Sequence, residues 1–437
     1  MITASNSTPV LVIGAGSSGL AAIKNLRAAG IPYDCLERND DVGGNWYYGR
    51  PNSSVYSSTH LISSKRLTEY TDFPMPAEWP DYPSRQQAFA YLQSYARHFE
   101  LYDTIEFNRS VERVERTNDS TGLPWRVTLH GGETRHYRRV IIANGHNWDP
   151  RWPDYPGHFA GQVLHSCQYK TPDVLAGRRV LVVGGGNSGC DIAVESAQHA
   201  EQTFHSLRRG YHYLPKFVRG KPIDQIHERY LRWGVPLPVR RWVSGIAARL
   251  ILGRPERWGL PRPDHRLFES HPIINSQMLY YAAHGRIQAK PDIAELCGEQ
   301  VRFVDGTQAA IDVIVYATGY KVSFPFIDTS LLHWRDGRPD LYLNVFHPEH
   351  DELFVIGLIQ PDSGQWGLVD RQAQLVAKYL HAIEQGLPAA EKLRQLKQRA
   401  EVDLGNGIDY VRSPRHLLEV EHYSYRRRLE RELQAFG

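Results

Sequence analysis

Cysteine, methionine and excess charge of either sign are all scarce in this chain of 437 residues. The four cysteines lie far apart and form no CxxC pair, which argues against a disulfide scaffold and a zinc site. Lys and Arg number 51 against 48 Asp and Glu, and the net charge of +3 predicts no nucleic-acid or membrane partner. No apolar run approaches the ~20 residues of a membrane-spanning helix. We therefore expect a cytoplasmic protein.

The chain does contain a repeated unit. An apolar run at Val10–Ile13 predicts a buried strand, and it leads into Gly-Ala-Gly-Ser-Ser-Gly at 14–19 and then a helical segment. The same unit returns at 180–183, followed by Gly-Gly-Gly-Asn-Ser-Gly at 184–189 and a helix predicted over 190–200. Strand, GxGxxG and helix in this order are typical of a dinucleotide-binding unit. Two copies in one chain predict two nucleotide sites.

Each glycine of the motif has a separate task. The first permits a tight turn, the second lets the backbone approach a pyrophosphate, and the third lets the helix pack on the strand. The positive end of the helix then faces the phosphates.

The residues after each motif separate the two ligands. Glu37 ends the next predicted strand, 18 residues after Gly19, where a carboxylate accepts hydrogen bonds from a ribose hydroxyl and repels a 2′-phosphate. That favours FAD or NAD, with a solvated strand-end glutamate as the alternative. At the matching place after the strand predicted at Gln202–Ser206, Arg208 and Arg209 favour NADPH, because guanidinium groups bind phosphate bidentately. An ordinary basic turn is the alternative there.

Two further apolar strands end in turns of small residues, at 140–146 and at 311–320. Small residues let the backbone come close to a cofactor or to a neighbouring segment. We expect the chain to cross between two domains at these turns.

The chain resembles the flavin-containing monooxygenases, the class B flavoprotein oxygenases, from about residue 10 to about residue 418. Besides the two glycine motifs, the resemblance rests on Glu37 with Val-Gly-Gly-Asn-Trp at 42–46. Most specific is the run 159–169, Phe-Ala-Gly-Gln-Val-Leu-His-Ser-Cys-Gln-Tyr, which fits the family fingerprint FxGxxxHxxx(F/Y). The related Baeyer–Villiger monooxygenases carry Trp-Pro after the histidine, whereas this chain has Tyr169 and Lys170, so the simple monooxygenase branch is favoured.

The resemblance implies an α/β fold with two Rossmann-like domains, the NADPH domain being inserted into the FAD domain. We expect residues 1–170 to form the first part of the FAD domain and 171–285 the NADPH domain. Residues 286–437 then form the second part of the FAD domain and a C-terminal tail. Within the inserted domain, 215–275 is expected to cover the substrate channel, or else to be a surface excursion.

The resemblance also implies an FAD- and NADPH-dependent monooxygenase. NADPH reduces the flavin, and the reduced flavin reacts with molecular oxygen to give a C4a-hydroperoxide. This species oxygenates a soft nucleophile, a thioether sulfur or an amine nitrogen, of a small-molecule substrate. Because the flavin carries the chemistry, we expect no catalytic side chain and no metal. A homodimer is a further expectation.

The motifs and the resemblance together predict a set of cofactor-binding residues. His165 is expected to position NADP(H) or to couple domain movement, with a packed linker histidine as the alternative. The full set is Gly14, Gly16, Ser17, Ser18, Gly19, Glu37, Arg38, Gly44, Asn45, Trp46, Ser63, His165, Gly184, Gly186, Asn187, Ser188, Gly189, Arg208, Arg209, Ala317, Thr318, Gly319, Gln360 and Gln365. Of the last two, the alternative role is to cap the helix predicted over 368–380.

One position departs from the family pattern. The family places an asparagine upstream of a (D/E)-(F/Y)-P segment, and counting back from Asp-Phe-Pro at 72–74 puts Ile62 at that position. Isoleucine cannot donate a hydrogen bond to flavin or NADP⁺. The nearest donors are Ser63 and Ser64. The departure predicts either a shorter-lived hydroperoxide, with NADPH lost to hydrogen peroxide, or a pocket shaped for a different substrate.

Two other functions remain as alternatives. One is Baeyer–Villiger oxygenation of a ketone or aldehyde, which would give an ester rather than a sulfoxide or N-oxide. The other is an NADPH oxidase or electron-transfer flavoprotein. The absence of CxxC argues against its disulfide-reducing branch, and the His165 fingerprint argues against the rest.

Overall fold

The first glycine motif follows the central strand of a five-stranded parallel sheet. The computed structural model describes residues 10–117, 122–399 and 402–436. The strands of this first sheet are, in spatial order, Leu353–Val355, Arg139–Ile142, Val10–Ile13, Tyr33–Leu36 and Ile105–Glu106. Val12 is in register with Cys35 on one side and Ile141 on the other. The strands predicted around the first motif are confirmed.

A second sheet of five parallel strands surrounds the second motif. In spatial order its strands are Gln162–His165, Val313–Tyr316, Arg179–Val183, Gln202–Ser206 and Ile287–Lys290. Val182 is in register with His205 and Val315, as Val12 is with Cys35 and Ile141 in the first sheet. The repeat in the sequence is therefore a repeat in the structure.

Both sheets are covered on both faces, which explains why their central strands are continuous apolar runs rather than alternating ones. In the first sheet, Val10 and Val12 pack in one buried cluster while Leu11 and Ile13 pack in another on the opposite face. The central strand of the second sheet divides its side chains between two clusters in the same way. The α/β class and its parallel sheets are confirmed.

Helices cover these sheets and join distant parts of the chain. The helix after the first motif packs on Trp366–Glu384, and buried Lys24 of the former pairs with Asp370 of the latter at 2.9 Å. The first sheet is thus completed by the C-terminal part of the chain. The α-helices are Ser17–Ala28, Lys65–Thr68, Arg85–His98, Asn187–His199, Ile223–Arg232, Leu237–Leu252, Gln277–Ala283, Trp366–Glu384, Pro388–Arg399 and His422–Gln434.

Smaller antiparallel and mixed sheets complete the fold. A three-stranded sheet consists of Val111–Arg116, Trp125–Leu129 and Thr134–Tyr137, and a four-stranded sheet of Gln308–Ala310, Gln300–Phe303, Ile293–Gly298 and Gly157–Phe159. Two-stranded pairs are Phe217–Val218 with Lys221–Pro222, Asp149–Pro150 with Tyr320–Lys321, Trp334–Arg335 with Arg338–Pro339, and Gln360–Pro361 with Glu419–Val420.

The second sheet extends on both sides of the segment 171–285. The two connecting segments each contribute a strand, Gln162–His165 before it and Val313–Tyr316 after it, and Ile287–Lys290 also lies beyond residue 285. The predicted limits 1–170, 171–285 and 286–437 stay predictions; three of the five strands of the second sheet lie outside the range 171–285. Among the helices of the described ranges, none is both long and apolar enough to cross a membrane.

Candidate active site

A large cavity opens where the strands of both sheets end. Its volume is about 1130 Å³. It is lined by Ile13 and Val183, the last residues of the two central strands, and by the glycine turns that follow them. The carboxyl ends of parallel strands are where open α/β sheets bind ligands. Both predicted nucleotide sites therefore face one shared space.

The first glycine turn has the geometry that the motif requires. Gly14 has φ +100°, and a Cβ added to it would lie 2.9 Å from the carbonyl oxygen of Ala143. A Cβ at Gly19 would lie 1.7 Å from the carbonyl oxygen of Gly14, so no side chain fits there. Gly16 lines the cavity and directly precedes the helix Ser17–Ala28. The backbone N–H groups in the first turn of this helix are available to a phosphate.

The second glycine turn repeats this geometry closely. Gly184 has φ +112°, and its added Cβ would lie 2.5 Å from the carbonyl oxygen of Ala317. A Cβ at Gly189 would lie 1.9 Å from the carbonyl oxygen of Gly184. The small-residue turns that contain Ala143 and Ala317 therefore pack against the glycine turns, as their composition predicts.

Glu37 and Arg38 both reach the cavity from the end of their strand. The Glu37 carboxylate is buried and accepts hydrogen bonds from the backbone N–H groups of Ala15 at 2.7 Å and Asn39 at 2.9 Å. It is thereby held beside the first glycine turn. The Arg38 guanidinium lies 5.5 Å from the ring of Trp148, which also lines the cavity.

The two arginines after the second motif face different groups. Arg208 is exposed and lines the cavity. Arg209 is absent from the cavity wall and forms a bidentate ion pair with Asp264, with its Nη2 at 2.8 and 2.9 Å from the two carboxylate oxygens. The structure thus makes Arg208 the available phosphate ligand of the two.

His165 lies behind the cavity rather than on its wall. It is fully buried, and burial lowers its pKa to about 4, so the imidazole is neutral near pH 7. The Cys167 backbone N–H donates to its Nδ1, which leaves its Nε2–H to donate to the carbonyl oxygen of Gly319 at 3.1 Å. Gly319 does line the cavity. His165 therefore supports the turn 317–319 without touching the space that it encloses.

The loop that carries Ile62 is held from two directions. Ile62 and Ser63 line the cavity, and the Ser63 hydroxyl is hydrogen-bonded to Thr68 at 2.8 Å. The backbone N–H of Ser64 donates to Asp224 at 2.6 Å. Asp224 is buried, its pKa is raised by that burial, and it lies in the first turn of the helix Ile223–Arg232. The segment 215–275 therefore contacts the loop at the cavity wall.

Gln360 and Gln365 line the cavity, but their amide groups are bonded to protein. The Gln360 amide donates to Glu419 at 2.8 Å, and the Gln365 amide donates to the carbonyl oxygens of Gly357 and Ile359. Gln365 precedes the helix Trp366–Glu384 and makes no side-chain capping bond. Flavin contact by either residue stays a prediction.

The cavity brings together all but four of the predicted cofactor residues. The exceptions are Gly19 and Gly189, which pack beneath the turns, and Arg209 and His165. The predicted residues on the wall are Gly14, Gly16, Ser17, Ser18, Glu37, Arg38, Gly44, Asn45, Trp46, Ser63, Gly184, Gly186, Asn187, Ser188, Arg208, Ala317, Thr318, Gly319, Gln360 and Gln365.

Comparison with known proteins identifies the family. A family model described as flavin-binding monooxygenase-like matches residues 7–426. The chain belongs to this family. Dimethylaniline monooxygenase 2 (N-oxide-forming) of Macaca mulatta is 34% identical over 400 residues, which cover 86% of this flavin-binding monooxygenase and 73% of the relative.

Solved structures of related fold extend the comparison. The S-allyl-L-cysteine S-oxygenase of Allium sativum superposes with a TM-score of 0.66 at 21% identity, covering 98% of this chain and 88% of that one. A cyclohexanone monooxygenase superposes with a TM-score of 0.70 at 19% identity, covering 98% of both chains. At these identities the two structures support the fold.

The monooxygenases of this family use FAD and NADPH, and this flavin-binding monooxygenase is an FAD- and NADPH-dependent enzyme. The two glycine cradles fit two dinucleotides, since each leaves backbone rather than side chain at the point of closest approach. One further candidate belongs to no motif of the sequence and lies far along the chain from both glycine turns. Arg415 lines the cavity 3.9 Å from the position of a Cβ at Gly186 and lies over the ring of Tyr211.

Proposed function

We propose that this enzyme oxygenates a thioether sulfur or an amine nitrogen of a small molecule, with FAD at the first glycine turn and NADPH at the second. When bound, the flavin supplies the oxygen-transfer chemistry through a C4a-hydroperoxide. One observation carries the proposal: both glycine turns open into the same cavity. Two dinucleotides held in this way meet in one space, as hydride transfer between them requires.

The chain's own residues bind, orient and exclude water. The backbone at Gly16 and Gly186 approaches the two pyrophosphates, and Glu37 lies where it can accept from a ribose hydroxyl. The apolar side chains of Ile62 and Ile359 line the cavity and reduce the access of water to a reactive oxygen species. The names of the macaque relative and the garlic enzyme refer to an amine and a thioether, both soft nucleophiles, which supports the proposed substrate class.

Baeyer–Villiger oxygenation is a second candidate, favoured by the fold shared with cyclohexanone monooxygenase. The end of the fingerprint argues against it. Lys170 stands where the Baeyer–Villiger enzymes have a proline, and its ammonium group donates to the carbonyl oxygens of Ser53 at 2.7 Å and Val55 at 3.2 Å. Both of these residues line the cavity. A proline has no side-chain donor and could not make these two hydrogen bonds. This part of the cavity wall is therefore held by a contact that a proline at this position would exclude.

Rapid mixing tests the oxygen chemistry. The purified enzyme is reduced by NADPH and mixed with oxygenated buffer while the absorbance is followed. We expect a band at shorter wavelength than that of oxidised flavin, persisting while NADP⁺ is present. Direct return to oxidised flavin with stoichiometric hydrogen peroxide would contradict the proposal and favour an NADPH oxidase.

Product analysis tests the substrate class. The enzyme is supplied in parallel with a dialkyl sulfide, a tertiary amine and a cyclic ketone, with ¹⁸O₂ as the oxidant. The proposal predicts ¹⁸O in a sulfoxide or an N-oxide. A labelled lactone as the main product would instead establish the Baeyer–Villiger reaction.

A further inference from the structure

A histidine and a glutamate from distant parts of the chain face each other at the cavity wall. His271 lines the cavity, and its Nδ1 lies 3.5 Å from Oε2 of Glu419. The two side chains are 8% and 1% exposed. Glu419 belongs to the short strand Glu419–Val420. The pair therefore joins the end of the segment 215–275 to the C-terminal part of the chain.

The two facing atoms have no other partner. Nδ1 of His271 and Oε2 of Glu419 are both buried, and neither forms a hydrogen bond with any residue that the structure describes. A buried imidazole nitrogen and a buried carboxylate oxygen without partners are unfavourable, so each requires an explanation. The gap of 3.5 Å is longer than an ordinary hydrogen bond, and a slight approach of the two segments completes one.

Glu419 is held in place from its other side. Its Oε1 accepts a hydrogen bond from the Gln360 amide at 2.8 Å, and its strand pairs with Gln360–Pro361. Oε2 is thereby left to face His271. A carboxylate beside Nδ1 orients an imidazole, fixes which nitrogen carries the proton and stabilises the charged ring. Nε2, on the far side of the ring, is then the nitrogen that can exchange a proton with the cavity.

The loop that carries His271 is attached to the second nucleotide-binding unit. The backbone N–H of Ile274 donates to the side chain of Asn187 at 3.2 Å, and the Asn275 amide donates to Asp191 at 2.6 Å. Asn187 and Asp191 both line the cavity. His271 is therefore held on the same space into which the second glycine turn opens.

The proposed reaction takes up a proton from solvent in every turnover. In NADPH + H⁺ + O₂ + R₂S → NADP⁺ + R₂SO + H₂O, the hydride of NADPH supplies two electrons. One oxygen atom bonds to sulfur, and the other leaves as water. An NADPH oxidase takes up the same proton, since NADPH + H⁺ + O₂ gives NADP⁺ + H₂O₂. A cavity that limits the access of water requires a side chain to carry this proton.

We propose that the His271 imidazole carries this proton into the cavity and that Glu419 positions and stabilises the charged ring. Nε2–H of the imidazolium gives its proton to the cavity, and the neutral ring then regains one from solvent. The proposal rests on the proposed function only for the product, because the oxidase needs the same proton. It adds an acid–base side chain to a reaction for which the sequence predicts no catalytic residue.

His416 provides the comparison within the same region. Its two nitrogens are hydrogen-bonded to the hydroxyls of Ser270 at 3.0 Å and Ser413 at 2.8 Å, and it is absent from the cavity wall. Burial lowers its pKa to about 3, whereas burial raises the pKa of Asp362. The titratable and charged groups around the pair are Arg209, Asp362, Tyr410, Arg415, His416 and Glu421.

The rate of proton uptake tests the proposal directly. The FAD-loaded enzyme is mixed rapidly with one equivalent of NADPH and a dialkyl sulfide in aerated, weakly buffered solution that contains phenol red. We expect His271→Ala to slow proton uptake about tenfold or more, and added imidazole to restore the rate. An uptake rate equal to that of the wild type, or a slow rate that imidazole does not restore, would overturn the proposal.

The role of Glu419 depends on its charge rather than on its shape. Glu419→Gln keeps the shape and removes the charge, and should slow proton uptake roughly threefold to tenfold. Glu419→Asp keeps the charge and should be slowed less. A larger effect of Glu419→Asp than of Glu419→Gln would show that Glu419 only fills space, and this part of the proposal would be wrong.

His416→Gln is the matched control and should take up protons at the wild-type rate. Flavin content measured for each variant shows that it folds. Equal slowing in His416→Gln and His271→Ala would reveal a structural effect and overturn the proposal. If the wild type forms hydrogen peroxide instead of a sulfoxide, the proposed substrate class fails, while the role of His271 is still decided by the same uptake rates.

Discussion

At the scale of single residues, Arg208 and Arg209 are adjacent in the sequence but differ in the groups that their guanidinium groups face. Arg208 is on the cavity wall, whereas Arg209 is neutralised by Asp264. We predict that Arg208→Ala raises KM for NADPH roughly 10- to 100-fold, the equivalent of one charge-assisted phosphate contact. KM for NADH should hardly change. Steady-state kinetics with both nucleotides measures this, with Arg209→Ala as the matched control. An equal effect of both variants on KM for NADPH would contradict the assignment.

Ile62 lies on the cavity wall, at the position where the resemblance predicts an asparagine. Ile62→Asn adds a hydrogen-bond donor and acceptor where the wall now has only methyl groups. We predict that the variant releases less hydrogen peroxide per NADPH oxidised, by roughly threefold to tenfold, the effect of a hydrogen bond worth about 1 kcal/mol. Ile62→Val, which stays apolar, should release as much as the wild type. An unchanged peroxide yield in Ile62→Asn would show that Ile62 does not limit the coupling.

At the scale of elements, the two strand–turn–helix units share the same backbone arrangement. In both, the carbonyl oxygen of the first glycine faces a side chain of the neighbouring strand. The carbonyl oxygen of Gly14 faces the Cys35 thiol, and that of Gly184 accepts from Nε2 of His205 at 2.9 Å. The second helix begins at Asn187 rather than at the predicted residue 190, because it starts directly from the glycine turn. Apolar runs and glycine spacing were sufficient to predict both units, since these contacts are local in sequence.

The third glycine of each motif provides an element-scale prediction. Gly19→Ala should lower the ratio of bound flavin to protein by tenfold or more, because its Cβ would lie 1.7 Å from a carbonyl oxygen and would push the helix off the strand. Gly189→Ala should keep the flavin and lose affinity for NADPH. Flavin absorbance and nucleotide titration measure the two effects.

Gly245→Ala is the control for these two variants. It lies within a helix with open space around it, so it should leave both cofactors bound. If Gly189→Ala lost flavin as readily as Gly19→Ala, the assignment of one cofactor to each turn would be wrong.

At the scale of the whole molecule, buried histidines link stability to pH. His165, His205 and His422 are buried, and burial lowers the pKa of each to about 4. In the unfolded chain the pKa is about 6.5, so the unfolded state binds more protons between these values and stability falls as the pH falls. Each histidine contributes on the order of 2 kcal/mol to the loss between about pH 7.5 and about pH 5.

Urea unfolding of the FAD-loaded enzyme at these two pH values measures the loss. His205→Gln, whose amide can also donate to the carbonyl oxygen of Gly184, should reduce the loss by on the order of 2 kcal/mol, the contribution of one such histidine. A free energy of unfolding that is equal at the two pH values would contradict the prediction.

The amino-acid sequence by itself determined the two strand–glycine turn–helix units, the parallel α/β class and the position of Glu37 directly after the second strand. These features depend on glycine spacing and apolar runs, which act within about 30 residues. Only the tertiary structure decided that both turns share one cavity, that Arg209 is paired while Arg208 is not, and that Arg415 joins the wall. It also decided that His271 faces Glu419 at the cavity wall. These outcomes depend on partners far away in the chain, and no local pattern encodes the side chain that a residue will meet across a fold.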